Sequence, residues 1–123
     1  MDAGDIAQVA FRALTDAEPH NRAYIITGPQ ALSYAEAAAI LSGAWHRPIR
    51  HVSVTGARLR SRLERFGIPA GYAALLAGLD EAIKSGAEDR VISTVLEVTG
   101  LPPKSLRDFA RDSAASWSAS AEG

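Results

Sequence analysis

The stretch YIITGPQALSYAEAAAIL, Tyr24–Leu41, combines the signals of two secondary-structure elements. Its first four residues, 24–27, are aromatic or mostly β-branched, which is typical of a buried strand. Gly28-Pro29 ends that strand because proline has no backbone N–H for a ladder. Ser33 precedes Glu36 by three residues, the spacing of a capping box, and the alanines that follow favour a helix. The stretch therefore predicts a β–α unit, and the chain is expected to be α/β with a helical majority.

Working outward from this unit, capping signals and apolar spacing predict five or six helices and a second short strand. The second strand is expected at Ile49–Val54, where apolar and polar residues alternate. Asp5 is the expected N-cap of a first helix that ends near Ala17. A helical hairpin is expected at Thr55–Gly67 and Ala70–Ser85, with Thr55 as the N-cap of its first helix and Gly67 in the left-handed conformation that ends it. Residues 91–95 are either a strand or an extended lead into a short helix before Gly100. A last helix is expected to begin at Ser105, which stands at capping-box spacing before Asp108.

Several of these motifs resemble those of a known family. The motif T-G-P-x-x-L-S after the first strand, the segment WHRPIRHVSV (45–54), and Thr99–Pro103 with Ser105–Phe109 are similar to the C-terminal, substrate-binding half of NmrA-like NAD(P)-binding oxidoreductases. This is the atypical short-chain dehydrogenase group, and the likeness covers nearly the whole chain. The resemblance implies an α/β fold in which the predicted hairpin closes over the substrate. The Rossmann nucleotide-binding half of that family has no counterpart here.

The length, net charge and composition of the chain argue against several classes of protein. The 123 residues are expected to form a single domain over 1–117 with a frayed tail at 118–123. A net charge of −1 argues against nucleic acid as a partner, and no apolar run is long enough for a membrane helix. The amino terminus lacks the basic start of a signal peptide. The absence of cysteine excludes thiolate chemistry, and a cytoplasmic location is expected.

Neither a bound cofactor nor a metal is expected. A dinucleotide site needs closely spaced glycines after a strand, and neither Gly28 nor Gly67–Gly71 has that pattern. The Tyr-x-x-x-Lys pair of many short-chain dehydrogenases is missing, because Tyr34 is followed by Ala38. The three histidines fall in unrelated segments, which does not predict convergent metal ligands.

The candidate binding residues are an apolar set in the predicted hairpin and the strand before it. Such a set is more often simply core, but the resemblance places this region over the substrate, where it suits a small hydrophobic molecule. His51 and Tyr72 are weak candidates for acid–base catalysis. The predicted ligand-binding set is Val54, Leu59, Leu63, Tyr72, Leu76 and Leu79.

Three functions follow from these observations. The first is a cofactor-free domain that binds a hydrophobic small molecule, with a separate Rossmann-domain chain as a partner. The second is a small stand-alone enzyme of secondary metabolism, of the cyclase or isomerase type, which holds its substrate in an apolar pocket. The third is an inactive fragment of an NAD(P)-dependent oxidoreductase. Unpaired strand edges and apolar helix faces also predict a homodimer.

Overall fold

Seven α-helices make up the regular structure of the residues that the computed structural model describes, 1–118. Three of them are short, with five to seven residues each. The helices are α1 (Ala3–Thr15), α2 (Tyr34–Trp45), α3 (Gly56–Arg65), α4 (Ala70–Lys84), α5 (Thr94–Thr99), α6 (Leu106–Asp112) and α7 (Ala114–Ser118).

The N-caps predicted from local spacing are confirmed at three helices. The hydroxyls of Ser33, Thr55 and Ser105 each accept a hydrogen bond from the backbone N–H three residues later. At α2 the box is complete, because the Ser33 N–H also donates to the Glu36 carboxylate at 2.8 Å. This backbone hydrogen bond and a second one from the Ser33 hydroxyl lower the pKa of Glu36. Such caps satisfy backbone donors that a helix end leaves without partners.

The predicted cap of the first helix is wrong by three residues. Asp2 is the N-cap of α1, and its Oδ1 accepts a hydrogen bond from the Gly4 N–H at 2.7 Å. Asp5 lies inside the first turn, where it is buried, and its Oδ2 accepts a hydrogen bond from the Lys104 N–H at 2.9 Å. Asp5 therefore joins α1 to the segment that precedes α6.

The predicted α/β class with two short strands is also wrong, because residues 1–118 contain no strand. Residues 24–27 and 49–54 lie outside the helices and have no ladder to a neighbouring segment. A strand is stable only when its backbone groups pair, and here each segment is joined to another part of its unit through a side-chain hydroxyl instead. The Thr27 hydroxyl bonds both the N–H and the C=O of Ile92, at 2.9 and 3.2 Å. The Ser42 hydroxyl does the same for Ile49, at 2.8 and 2.9 Å.

The described residues divide into two compact units, and the first consists of 1–50 together with 90–118. Here α1 packs against α5, and α2 packs against α6 and α7. The rings of Trp45 and Trp117 stack at 4.9 Å, and the indole N–H of Trp45 donates to the carbonyl of Ala110 at 2.9 Å. The buried apolar residues of this unit are Val9, Ala38, Val95 and Ala110.

The second unit, His51–Asp89, is the predicted helical hairpin. Helix α3 packs against α4, and Gly67 takes the predicted left-handed conformation between them, with φ of 87°. The assignment of 1–117 to one domain stays a prediction. Of the tail predicted at 118–123, Ser118 ends α7 and the remaining five residues lie outside the described part of the chain.

Candidate functional site

The second unit, His51–Asp89, holds all of the residues predicted to bind a ligand, and all but Val54 lie in its helical hairpin. Its two helices approach each other closely because α4 presents alanine to α3. Ala73 is fully buried at 0% exposure, and Ala77 is buried one turn later. Residues four apart lie on the same face of a helix, so these two small side chains define the contact face of α4.

The six predicted ligand-binding residues fall into two groups. Val54, Leu59, Leu63 and Leu76 are half-buried, while Tyr72 and Leu79 are 55% and 53% exposed. Leu75, which the sequence analysis did not single out, is also 55% exposed and belongs with the second group. The set stays a prediction.

A cavity of about 470 Å³ opens on the second unit, and Val54 is the one predicted residue in its lining. Lys84 lines this cavity and forms three polar contacts. Its ammonium donates to the Val54 carbonyl at 2.7 Å, and it forms ion pairs with Asp80 at 2.8 Å and Glu81 at 3.3 Å. The hydrogen bond to Asp80 is the main reason that the pKa of Lys84 is raised. The ammonium in the cavity wall is thus already paired, which favours a structural role in fixing the entry to α3.

His51 and Tyr72, the weak catalytic candidates, both lie on exposed parts of the second unit. The hairpin also carries arginine on the outer face of α3. Arg60 forms an ion pair with Glu64 at 2.8 Å, and the Arg62 guanidinium lies 5.9 Å from the centre of the Phe66 ring. These pairings are typical of a solvated helix face. The catalytic candidates stay predictions.

A hydrogen-bonded chain of four side chains in the first unit was not predicted from the sequence. The Tyr24 hydroxyl lies 2.6 Å from His20 Nδ1, and His20 Nε2 lies 2.9 Å from Asp16 Oδ2. Arg12 completes the chain through an ion pair with Asp16 at 3.1 Å. An ionised carboxylate only accepts hydrogen bonds, so a neutral His20 carries its proton on Nε2, and its Nδ1 accepts a hydrogen bond from the Tyr24 hydroxyl. The four residues follow one another at intervals of four in the sequence, which was the available signal. That spacing brings side chains together in a helix, but α1 ends at Thr15 and the residues after it are not helical.

Neither a metal-binding cluster nor a membrane-spanning helix is present among the described residues. No group of three or more histidine, cysteine, aspartate or glutamate side chains in 1–118 is placed to hold a metal ion. None of the seven helices has the length and apolar character needed to cross a membrane.

The amino-acid sequence matches several curated oxidoreductases over nearly its whole length. It is 52% identical over 117 residues to an uncharacterized oxidoreductase of Bacillus subtilis called YesF, a match that covers 95% of this chain and 41% of that protein. It is 38% identical to agroclavine dehydrogenase of Claviceps fusiformis, over 95% of this chain and 40% of the relative. An NAD(P)H azoreductase of Xenophilus azovorans is 40% identical, over 97% of this chain and 42% of the relative. No protein-family model matches the chain.

Solved structures share the fold of this chain over a similar portion of their length. An NADPH-dependent quinone oxidoreductase of Escherichia coli superposes with a TM-score of 0.75 at 23% identity, over 88% of this chain and 39% of that one. The triphenylmethane reductase of Citrobacter, solved with NADP(H), gives a TM-score of 0.74 at 23% identity, over 89% of this chain and 38% of that one. The chain thus spans about two-fifths of the length of the proteins it matches. The predicted resemblance is confirmed: this chain is homologous to a part of the NmrA-like NAD(P)-binding oxidoreductases.

Proposed function

We propose that the chain is the part of an NAD(P)-dependent oxidoreductase that binds an apolar small-molecule substrate, and that it does so without holding the dinucleotide itself. The curated relatives include a dehydrogenase and an azoreductase, which supports an oxidoreductase context. The dinucleotide would be held by a separate nucleotide-binding part, such as the roughly three-fifths of the relatives that this chain does not match.

The observation that carries the proposal is an exposed apolar row on α4. Tyr72, Leu75 and Leu79 lie at positions i, i+3 and i+7, which share one face of a helix. All three are more than half exposed, although each would be stabilised by burial. Exposed apolar side chains that are contiguous, rather than scattered, mark binding surfaces. The Tyr72 hydroxyl adds a single hydrogen-bonding group to an otherwise aliphatic row.

The chemistry of this row favours a neutral aromatic ligand. Leu75 and Leu79 offer branched aliphatic groups, and the Tyr72 ring can stack against another aromatic ring. The half-buried residues Leu63 and Leu76 add further apolar side chains to the hairpin. Among the relatives, the azoreductase suggests a suitable probe, the neutral azo compound 4-phenylazophenol.

Leu79→Asp is expected to weaken the binding of 4-phenylazophenol at least tenfold. A carboxylate beside an apolar ligand must lose hydration when the ligand binds, and about 1.4 kcal/mol is enough for a factor of ten. Equilibrium dialysis, with the probe measured by its absorbance, gives the dissociation constants. Tyr72→Ala serves as a second variant that changes the same surface without adding a charge, and circular dichroism checks that both variants keep their helices.

The matched control is Leu14→Asp, the same substitution on α1 at a residue that is 85% exposed. It is expected to leave the affinity for the probe unchanged. The proposal is contradicted if Leu79→Asp and Tyr72→Ala bind the probe as well as the wild type. It is also contradicted if Leu14→Asp weakens binding by the same factor, since the loss would then report charge alone.

A further inference from the structure

A second cavity, of about 360 Å³, lies in the first unit, and its lining shares no residue with the candidate ligand sites described above. Three segments that are distant in the sequence form it. They are the start of α1, the turn after residues 24–27, and the segment that leads into α6. The lining residues that matter for its chemistry are Asp2, Pro29, Gln30, Leu32, Leu106 and Phe109.

The three segments are tied together on either side of the cavity. The Asp5 carboxylate holds the Lys104 N–H at 2.9 Å, which fixes α1 against the segment before α6. Gly28 is buried, and a Cβ there would lie 3.4 Å from the backbone nitrogen of Met1. The turn therefore lies close to the residues that lead into α1. The Asp5 side chain and this close approach of Gly28 to Met1 connect the three segments.

The walls of the cavity are largely apolar. Pro29 and Leu106 are half-buried, and Leu32 and Phe109 are partly exposed. A volume of about 360 Å³ lies in the range of small-molecule sites, which start near 300 Å³. A dry cavity of about 150 Å³ accepts benzene, so this one has space for about two fused rings.

Most polar groups at the rim already have partners. Asp2 accepts the Gly4 N–H at 2.7 Å, and the Ser105 hydroxyl donates to Asp108 at 2.6 Å. The Lys104 ammonium pairs with Asp112 at 2.8 Å, and this bond is the main reason that the pKa of Lys104 is raised and that of Asp112 lowered. Gln30, by contrast, forms no hydrogen bond with the other residues of 1–118. A charged ligand would have to displace an existing ion pair, whereas a neutral one would not.

We infer that this pocket binds a neutral molecule of one or two fused rings that carries one hydrogen-bonding group, which faces the side-chain amide of Gln30. The apolar walls contact the rings, and Gln30 can donate to or accept from a hydroxyl or carbonyl group. The site is separate from the exposed row on α4, and it stands whether or not α4 binds a substrate.

The test titrates the ¹⁵N-labelled chain with 1-naphthol and follows the amide chemical shifts. The expected shifts fall on residues 30–32 and 104–109. Leu32→Trp fills the cavity from a loop and is expected to weaken binding at least tenfold. Leu101→Trp, an equally bulky change on an exposed residue outside the cavity, is the control and should leave the affinity unchanged.

A second variant keeps the test informative if Leu32→Trp fails to fold. Gln30→Ala is expected to lower the affinity for 1-naphthol about fivefold, which corresponds to the loss of one hydrogen bond. The affinity for naphthalene, which has no hydroxyl, is expected to stay unchanged. The inference is overturned if 1-naphthol shifts the amides of α4 instead, or gives no saturable shifts at all. It is also overturned if Leu32→Trp binds like the wild type, or if Gln30→Ala changes the affinities for both compounds equally.

Discussion

Asp5→Ala is expected to lower the free energy of unfolding by about 2 kcal/mol. The Asp5 carboxylate is buried and accepts the Lys104 N–H at 2.9 Å, so its removal leaves a part-buried backbone donor without a partner. Hydrogen bonds to charged groups contribute about 1.5–3 kcal/mol, and an unsatisfied buried donor costs about 1–3 kcal/mol. Asp5 also places negative charge in the first turn of α1, where it interacts favourably with the helix dipole.

Urea unfolding followed by tryptophan fluorescence measures this change, because Trp45 and Trp117 belong to the same unit as Asp5. Asp5→Asn keeps an acceptor oxygen and is expected to recover about half of the loss. Asp89→Ala, at an exposed carboxylate, should stay within about 0.5 kcal/mol of the wild type. A free energy of unfolding for Asp5→Ala equal to that of Asp89→Ala would show that the bond to Lys104 does not hold α1 in place.

Ala73→Leu is expected to destabilise the helical hairpin by about 2 kcal/mol. Ala73 has no exposed surface, and it lies on the face of α4 that packs against α3. Three additional carbon atoms at this position must push the helices apart or adopt strained rotamers, which costs about 1–3 kcal/mol in a well-packed core. The substitution adds apolar surface, so a loss of stability can only come from the close approach of the two helices.

Ala74→Leu is the matched control, since it makes the same change at the next residue, on the exposed side of α4. It should alter the free energy of unfolding by less than about 0.5 kcal/mol. The hairpin contains no tryptophan, so far-UV circular dichroism is the measurement for both variants. Equal stabilities of the two variants would contradict the alanine-mediated packing of α3 and α4.

The features that were predicted correctly depend on residues close together in the sequence. The capping box of Ser33 and Glu36 and the caps at Thr55 and Ser105 need only three residues of spacing. The hairpin turn at Gly67 needs one residue with a positive φ. Local rules of this kind determine a cap regardless of what surrounds the helix.

The features that were missed depend on partners far away in the chain. Residues 24–27 have the composition of a strand, but composition does not provide a neighbouring strand, and Thr27 bonds to Ile92 instead. Asp5 was predicted to be a cap because aspartate is a preferred N-cap residue. Its actual partner, Lys104, is 99 residues away and could not be recognised from local spacing. The second cavity was missed for the same reason, since its three walls come from opposite ends of the sequence. The apolar row on α4 was recognised only in part. Leu75 and Leu76 are the same amino acid at neighbouring positions, and the sequence does not show that Leu75 is the more exposed of the two.

The central claim is that the chain binds an apolar molecule without holding the dinucleotide, and a calorimetric titration with NADPH tests it most directly. The sequence lacks a glycine-rich turn to bring backbone N–H groups to a pyrophosphate, so no saturable heat is expected up to about 1 mM NADPH. Binding of 4-phenylazophenol by the same preparation would verify that the protein is folded and active as a binder. A dissociation constant for NADPH in the low micromolar range, about −8 kcal/mol, would contradict the account.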